Sequence, residues 1–263
     1  MSTPEPPDEP SAPALSLVDV SVVRGGRLIW SEGTFDVPSG GIFAVIGSSG
    51  SGKTTLLHAV LGMIPTASGE IRVLGRPPGA ATGLIGYVPQ NYAAAAGNAI
   101  RACDAVLLGL TGNRWGFGRA STEQRSHVEE ILEAVDGTEF AQRWLSQLSG
   151  GQRQRIAIAE ALVSKPRLLI LDEPLTALDI RNQRGIVGLL ARIREELGVT
   201  ILVVAHDLNP LLSVLDGAIY LLDGHAHFDT MDEVVNEDLL SHLYGTSIQV
   251  VHTPQGDLYM RSV

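Results

Sequence analysis

Lysine is scarce in this chain: Lys53 and Lys165 are the only two among 19 basic residues, so a lysine kept inside a glycine-rich run draws attention to itself. Cysteine is scarcer still. A single residue, Cys103, excludes an intramolecular disulfide and suits a reducing cytosol. Positive charge is short as well. A formal net charge of −10 and a sequence pI near 5.1 argue against a nucleic-acid binder, which would present a basic face. Long apolar runs are absent, and none approaches the ~20 residues needed to cross a bilayer. Residues 1–14 carry five prolines with Glu5, Asp8 and Glu9. That stretch lacks the apolar core of a signal peptide and the arginines of a transit peptide, and its composition predicts a disordered acidic tail. The 44% of hydrophobic and 18% of charged residues then place the remainder with globular proteins.

The segment Leu15–Val37 alternates apolar and polar residues around Gly25-Gly26, as an antiparallel hairpin does. Ile42–Ile46 is wholly apolar and runs into a glycine-rich loop; it reads as a strand buried on both faces, feeding a helix that begins near Lys53. Glu70–Leu74, Leu84–Val88, Leu168–Leu171, Thr200–Val204 and Ala218–Leu222 read as further strands, separated by helical patterns in the alternation of a parallel α/β sheet. Between Asn98 and Ser164 the pattern turns helical. Ser121–Gln124 is a capping box before an amphipathic run to Val135, and Ser149–Gln152 repeats the spacing before a helix that Pro166 must end. No internal repeat is visible.

Gly47-Ser48-Ser49-Gly50-Ser51-Gly52-Lys53-Thr54 fits the phosphate-binding pattern of two glycines followed by Lys and Thr. Its backbone N–H groups can point at phosphate oxygens at the positive end of the following helix. Lys53 would reach the β- and γ-phosphates, and the Thr54 hydroxyl would bind magnesium. Asp172 and Glu173 close the apolar run Leu168–Leu171, at the strand end where such sheets place ligand groups. Asp172 suits a magnesium-holding role, and Glu173 that of a general base for the attacking water. Either motif alone has a bland account, a flexible Gly/Ser loop or a solvated acidic turn before Pro174; together they indicate a nucleoside triphosphatase.

Between them lies Leu148-Ser149-Gly150-Gly151-Gln152. Capping explains Ser149 and Gln152 but not the two glycines, each of which costs a helix roughly 0.5–1 kcal/mol relative to alanine. With the phosphate loop and the carboxylate pair, this pentapeptide resembles the ATP-binding subunits of ABC transporters, from about Leu15 to at least Gly245. The resemblance implies a P-loop α/β core with a mainly parallel sheet, an antiparallel β subdomain and an inserted α-helical subdomain at about 91–165. The ATPase domain would span 15–245, with 246–263 a C-terminal extension. It further implies that Gln90 contacts magnesium and the attacking water, that His206 is a switch histidine on the γ-phosphate, and that Asp179 communicates between subunits. Thr55 joins the ATP-binding set. The adenine-stacking aromatic of the family falls on Arg24, whose guanidinium plane could stack instead; Trp30 is aromatic but out of place. His58, His127, His225, His227, His242 and His252 lack metal-ligand spacing.

In the family two subunits sandwich two ATP molecules head to tail, so the pentapeptide would serve the nucleotide of the other subunit, an isologous arrangement. The resemblance thus implies ATP and magnesium as cofactors, a homodimer, a separate multi-span permease and a peripheral place on the cytoplasmic membrane face. Asp104–Gly109, Gly116-Phe117-Gly118, the Ser121–Val135 helix, Ile85–Gln90 and Leu239–Gly245 resemble ATPases of zinc, manganese and iron importers, which work with an extracellular metal-binding protein. Siderophore and cobalamin importer ATPases share several of these features. A soluble ABC ATPase without a membrane partner would usually carry two ATPase units or a long coiled coil, and neither is present here.

Overall fold

In the computed structural model, which describes residues 12–92, 99–112, 120–252 and 258–262, the chain opens with two long strands, β1 (Leu15–Arg24) and β2 (Arg27–Val37). They pair antiparallel around the Gly25-Gly26 turn, and β1 takes β4 (Ser68–Val73) on its other edge. Between them come β3 (Ile42–Gly47) and helix α1 (Lys53–Val60). Strand β5 (Ile85–Val88) follows, then three helices: α2 (Ala102–Thr111), α3 (Thr122–Ala134) and α4 (Gly150–Leu162). The core resumes with β6 (Leu168–Asp172), α5 (Ile180–Leu197), β7 (Thr200–Val204), β8 (Gly217–Leu222) and β9 (His225–Thr230). Two short helices, α6 (Met231–Val234) and α7 (Glu237–Tyr244), precede a hairpin of β10 (Ile248–His252) and β11 (Leu258–Ser262). The tail residues 1–11 and Gly116-Phe117-Gly118 lie outside the described residues.

The order across the sheet is β4-β1-β2-β9-β8-β3-β7-β6-β5. Strands β8, β3, β7, β6 and β5 are mutually parallel. The antiparallel strands at the other side join through β9, which meets β2 at the single pair Ser31 and His225. Burial on both faces explains the unbroken apolar runs. Ile42, Ala44 and Ile46 of β3 enter one core beneath α2 to α5, and Phe43 and Val45 enter a second beneath α1 and the β1-β2-β4 strands. Strands β6 and β7 divide in the same way, as a period of two dictates.

Both predicted capping boxes form. Ser121 accepts from Gln124 N at 3.1 Å while its own N–H donates to Gln124 Oε1 at 2.9 Å, and Ser149 and Gln152 exchange the equivalent bonds at 3.3 and 3.0 Å. The start of the fourth strand lies two residues earlier than the apolar pattern indicated, and Leu84 ends a short 3-10 turn rather than opening β5.

Two arginines help fasten the helical insertion to the core. Arg155 on α4 donates to Asp136 Oδ2 at 2.7 Å, to Val135 O at 3.0 Å and to Gly185 O of α5 at 3.4 Å. Arg192 of α5 reaches the same Asp136 oxygen at 2.8 Å. Burial opposes ionisation of Asp136, yet Arg192 and Arg155 together hold its carboxyl below the usual carboxylate range. We expect Arg155→Ala to lower the urea midpoint by the equivalent of about 1–3 kcal/mol, because three acceptors lose a charged donor. Arg155→Lys should restore little, since a compact ammonium cannot span those acceptors.

Candidate active site

Four neighbouring parallel strands bring the chemistry to one edge of the sheet. At their carboxyl ends β3 delivers the phosphate loop, β7 delivers His206, β6 delivers Asp172 and Glu173, and β5 delivers Gln90. Open α/β sheets bind ligands at this edge.

In the phosphate loop, Gly52 caps α1 in the left-handed region at φ 105°. A Cβ there would collide with Ile29 Cγ2 of β2, so glycine is required both by conformation and by space. Lys53 is buried, with its Nζ donating to Gly47 O at 2.7 Å and Ser48 O at 3.0 Å. Its ammonium thus lies under the loop where phosphate oxygens would come. Burial lowers the Lys53 pKa, while the carboxylates of Glu173 and Asp172 act in the opposite direction. Thr54 is exposed at the helix start and Thr55 is buried.

Glu173 sits at the centre of a short network. Gln90 Nε2 donates to Glu173 Oε2 at 2.7 Å, His206 Nε2 lies 2.7 Å from Oε1, and Thr176 Oγ1 donates to Oε2 at 3.2 Å. The Glu173 backbone is left-handed at φ 52°, a conformation that costs a non-glycine residue about 1–2 kcal/mol, and its N–H bonds to Val204 O of β7 at 3.1 Å. Asp172 is buried beside it. Burial and then the Glu173 charge raise the Asp172 pKa, against the pull of His58, Lys53 and His206. Tyr87 of β5 also bears on Asp172, and burial followed by that carboxylate raises its own pKa.

The set Thr54, Asp172 and Gln90 offers oxygens suited to a hard cation. Because the Gln90 amide nitrogen is engaged by Glu173, its oxygen remains for a cation. The chemistry of the donor set therefore fits magnesium.

Three residues beside the site were missed from sequence: Ile29 against Gly52, and His58 and Tyr87 around Asp172. His58 had a readable signal, standing four residues after Thr54 and so on the same helix face. Tyr87 and Ile29 arrive by strand pairing and had none. A cavity of about 390 Å³ beside the loop is lined by Ile29, Ser48, Gly50 and Ser51. Arg24 is exposed near the hairpin turn and is not part of that lining, and Trp30 is fully buried in the core.

The pentapeptide stands apart. Among the described residues no hydrogen bond joins Leu148–Gln152 to the phosphate loop. Its neighbours are Leu178 and Asn182. A Cβ on Gly151 would collide with Asn182 Oδ1 and lie 2.8 Å from Asn182 Cγ. Asn182 cannot easily withdraw, since Asp179 holds its N–H at 2.8 Å and its Nδ2 at 2.9 Å. Gly151 thus has a packing reason within the chain. Gly150 meets only Leu178 Cδ2, at 3.3 Å.

Comparison with known proteins bears on the family and the fold. The family model described as ABC transporter matches residues 31–176. The zinc transport system ATP-binding protein TroB of Treponema pallidum is 35% identical over 247 residues, covering 94% of this chain and 92% of that protein. The phosphonates import ATP-binding protein PhnC 2 of Pseudomonas aeruginosa is 37% identical over 227 residues, covering 80% and 81%. A solved structure described as an inward-facing metal-chelate type ABC transporter superposes with a TM-score of 0.82 at 27% identity, covering 95% of this chain and 97% of that one.

The Gly151 contact yields a direct expectation. Gly151→Ala should destabilise the protein by about 1–3 kcal/mol through overpacking, and combining it with Asn182→Ala should recover most of that loss in a double-mutant cycle. Purely additive losses in urea unfolding would show that Asn182 is not the obstacle.

Proposed function

We propose that this chain, which belongs to the ABC transporter family as an ATP-binding and ATP-hydrolysing subunit, powers import of a metal ion, zinc, manganese or iron, through a separate membrane permease. The observation that carries the hydrolytic part is the Glu173 carboxylate held between Gln90 and His206 at 2.7 Å each. The cargo reading is supported by similarity to a zinc-system ATPase over nearly the full length of both chains. No helix among the described residues is long and apolar enough to cross a membrane. The reading therefore has the chain held peripherally on the cytoplasmic face by its permease, with an extracellular metal-binding protein as a further member.

In this mechanism Lys53 exchanges its two loop carbonyls for the β- and γ-phosphates, and the backbone from Ser48 to Thr55 cradles them. Thr54, Asp172 and Gln90 would hold magnesium, which when bound would supply charge neutralisation to the phosphoryl oxygens. Glu173 accepts the proton of the attacking water, Gln90 orients that water, and His206 turns from Glu173 to the γ-phosphate. Arg24, outside the lining of the cavity beside the loop, would have to bring its guanidinium face to adenine.

A second copy completes the site. At the start of α4 the capping box satisfies the N–H groups of Ser149 and Gln152. Gly150 and Gly151 N–H have no hydrogen-bond partner among the described residues, and they are the donors the reading directs at the partner's nucleotide. Asp179 links the two halves.

Two substitutions test the ATPase. Glu173→Gln should bind ATP, accumulate as a dimer in size-exclusion chromatography and lose turnover by about 10²–10⁴-fold; normal turnover would refute the base assignment. Lys53→Ala should lose ATP affinity in calorimetry, and unchanged binding would sink the phosphate-loop reading. For the cargo, deletion of the gene should lower the cellular content of one of the three metals by mass spectrometry, and unchanged contents of all three would overturn it. A metal-chelate cargo is the second reading, favoured by the solved metal-chelate type structure. Uptake of chelated but not free metal would select it.

A further inference from the structure

Besides a bond from Ile248 N–H to Ser241 Oγ of α7 at 2.8 Å, the C-terminal hairpin is held on both edges at one register position. Val250 of β10 faces Met260 of β11, and in an antiparallel ladder alternate pairs turn their N–H and C=O groups away from each other. At this pair both outward edges are taken by side chains of the core. Val250 N–H donates to Glu237 Oε1 of α7 at 2.9 Å. On the opposite edge Asn209 makes two bonds: Met260 N–H donates to Asn209 Oδ1 at 2.7 Å, and Asn209 Nδ2 donates to Met260 O at 2.9 Å. The amide thus pairs with β11 as a neighbouring strand would. The Met260 side chain is buried in the core beneath α2 to α5.

Asn209 stands three residues after His206. The segment Ala205–Leu208 belongs to no helix or strand, and among the described residues no hydrogen bond engages the backbone N–H of His206, Asp207 or Leu208. Its fixed points are Ala205, buried with its N–H donating to Val45 O of β3 at 3.3 Å, Leu208, fully buried, and Asn209, whose N–H also donates to Asp207 Oδ1 at 2.9 Å. His206 itself is half-exposed while 2.7 Å from Glu173. A half-exposed imidazole that stands past the last ladder bond, at Ala205, is placed only as well as the anchors on its two sides are placed.

We propose that Asn209 is a positioning residue for His206, and that through its two-bond pairing with Met260 the C-terminal hairpin is a working part of the hydrolytic site. The inference rests on the assignment of Glu173 and His206 to hydrolysis. It adds that the loop carrying His206 is aimed from outside the phosphate-binding core, by residues beyond 245.

The test uses the full chain and three readouts: ATP turnover, KM for ATP, and Tm. Asn209→Ala should lower kcat about tenfold, since small misplacement of a reacting group costs one to two orders of magnitude, and leave KM within about twofold. Glu237→Ala removes the bond on the other edge of the hairpin and leaves both Asn209–Met260 bonds in place; it should lower Tm comparably and leave kcat within about twofold. Asn209→Gln keeps the amide but displaces it by one methylene, and is expected to lose rate as well; it serves if the alanine variant does not fold. Unchanged kcat in the Asn209 variants, or equal losses of kcat in the Asn209 and Glu237 variants at equal Tm, would overturn the proposal. His206→Ala separates the two levels. If it keeps full turnover, the underlying assignment fails; if it loses turnover while the Asn209 variants do not, only the role of Asn209 fails.

Discussion

Burial of the central strands on both faces is the constraint from which the site follows. Strands β3, β7 and β6 send alternate residues into two separate apolar cores, so neither face can hold an ionised group at acceptable cost. Polar chemistry is left only the strand ends. The parallel order β3-β7-β6-β5 then makes four such ends neighbours, and residues 47, 90, 173 and 206 converge although up to 159 positions separate them. The same constraint explains why Asp172, the last residue of β6, is largely buried with a raised pKa while Glu173, one step later, can engage three polar side chains.

At Glu173 the backbone takes up the strain of that transition. A left-handed φ at a carboxylate is unfavourable and persists only where surroundings over-determine it. Here the surroundings are the N–H bond to Val204, the Gln90 and Thr176 donors and the His206 ring. Gln90 follows β5, Thr176 lies in the turn after β6, and Val204 and His206 lie at the end of β7, so the carboxylate reports the relative placement of β5, β6 and β7. A shift of Gln90, which begins the helical insertion, is felt at Glu173 through one hydrogen bond, and a shift of the His206 loop through another.

Legibility in the sequence divides along the range of the interactions. Local chemistry was readable. The two capping boxes, the Gly25-Gly26 turn and the loop before α1 depend on residues within a few positions of each other, and all formed where their spacing put them. The central strands were readable because two-sided burial leaves unbroken apolar runs. Contacts made by register were not. Tyr87 reaches Asp172 because β5 pairs with β6, and Ile29 reaches Gly52 because β2 packs over α1, and neither neighbour leaves a mark on the other's sequence. The hairpin β10–β11 was missed for the same reason. Its strands are short, a two-stranded hairpin alone is marginal in water, and the side chains that secure it, Asn209, Glu237 and Ser241, lie outside the hairpin and leave nothing that patterning detects.

The pentapeptide shows how a motif can serve two masters. Bare glycines at a helix start invite a single explanation, close approach of a phosphate. Geometry separates them: Gly151 is required by Asn182 on the first turn of α5, whereas a Cβ on Gly150 would meet one methyl group, at 3.3 Å, which need give by only a few tenths of an ångström. The packing of Gly151 has its own consequence. It seats α4 directly on the turn that begins at Asp179, whose carboxylate fixes Asn182 from both its N–H and its amide. On the dimeric reading, the helix that would face the partner's nucleotide and the aspartate that would signal between subunits are therefore one rigid contact rather than two independent features. A movement of Asp179 must displace Asn182, and Asn182 cannot move toward Gly151 without pushing α4, so the half-site that one copy lends to the other would move together with the loop that leads back to its own Glu173.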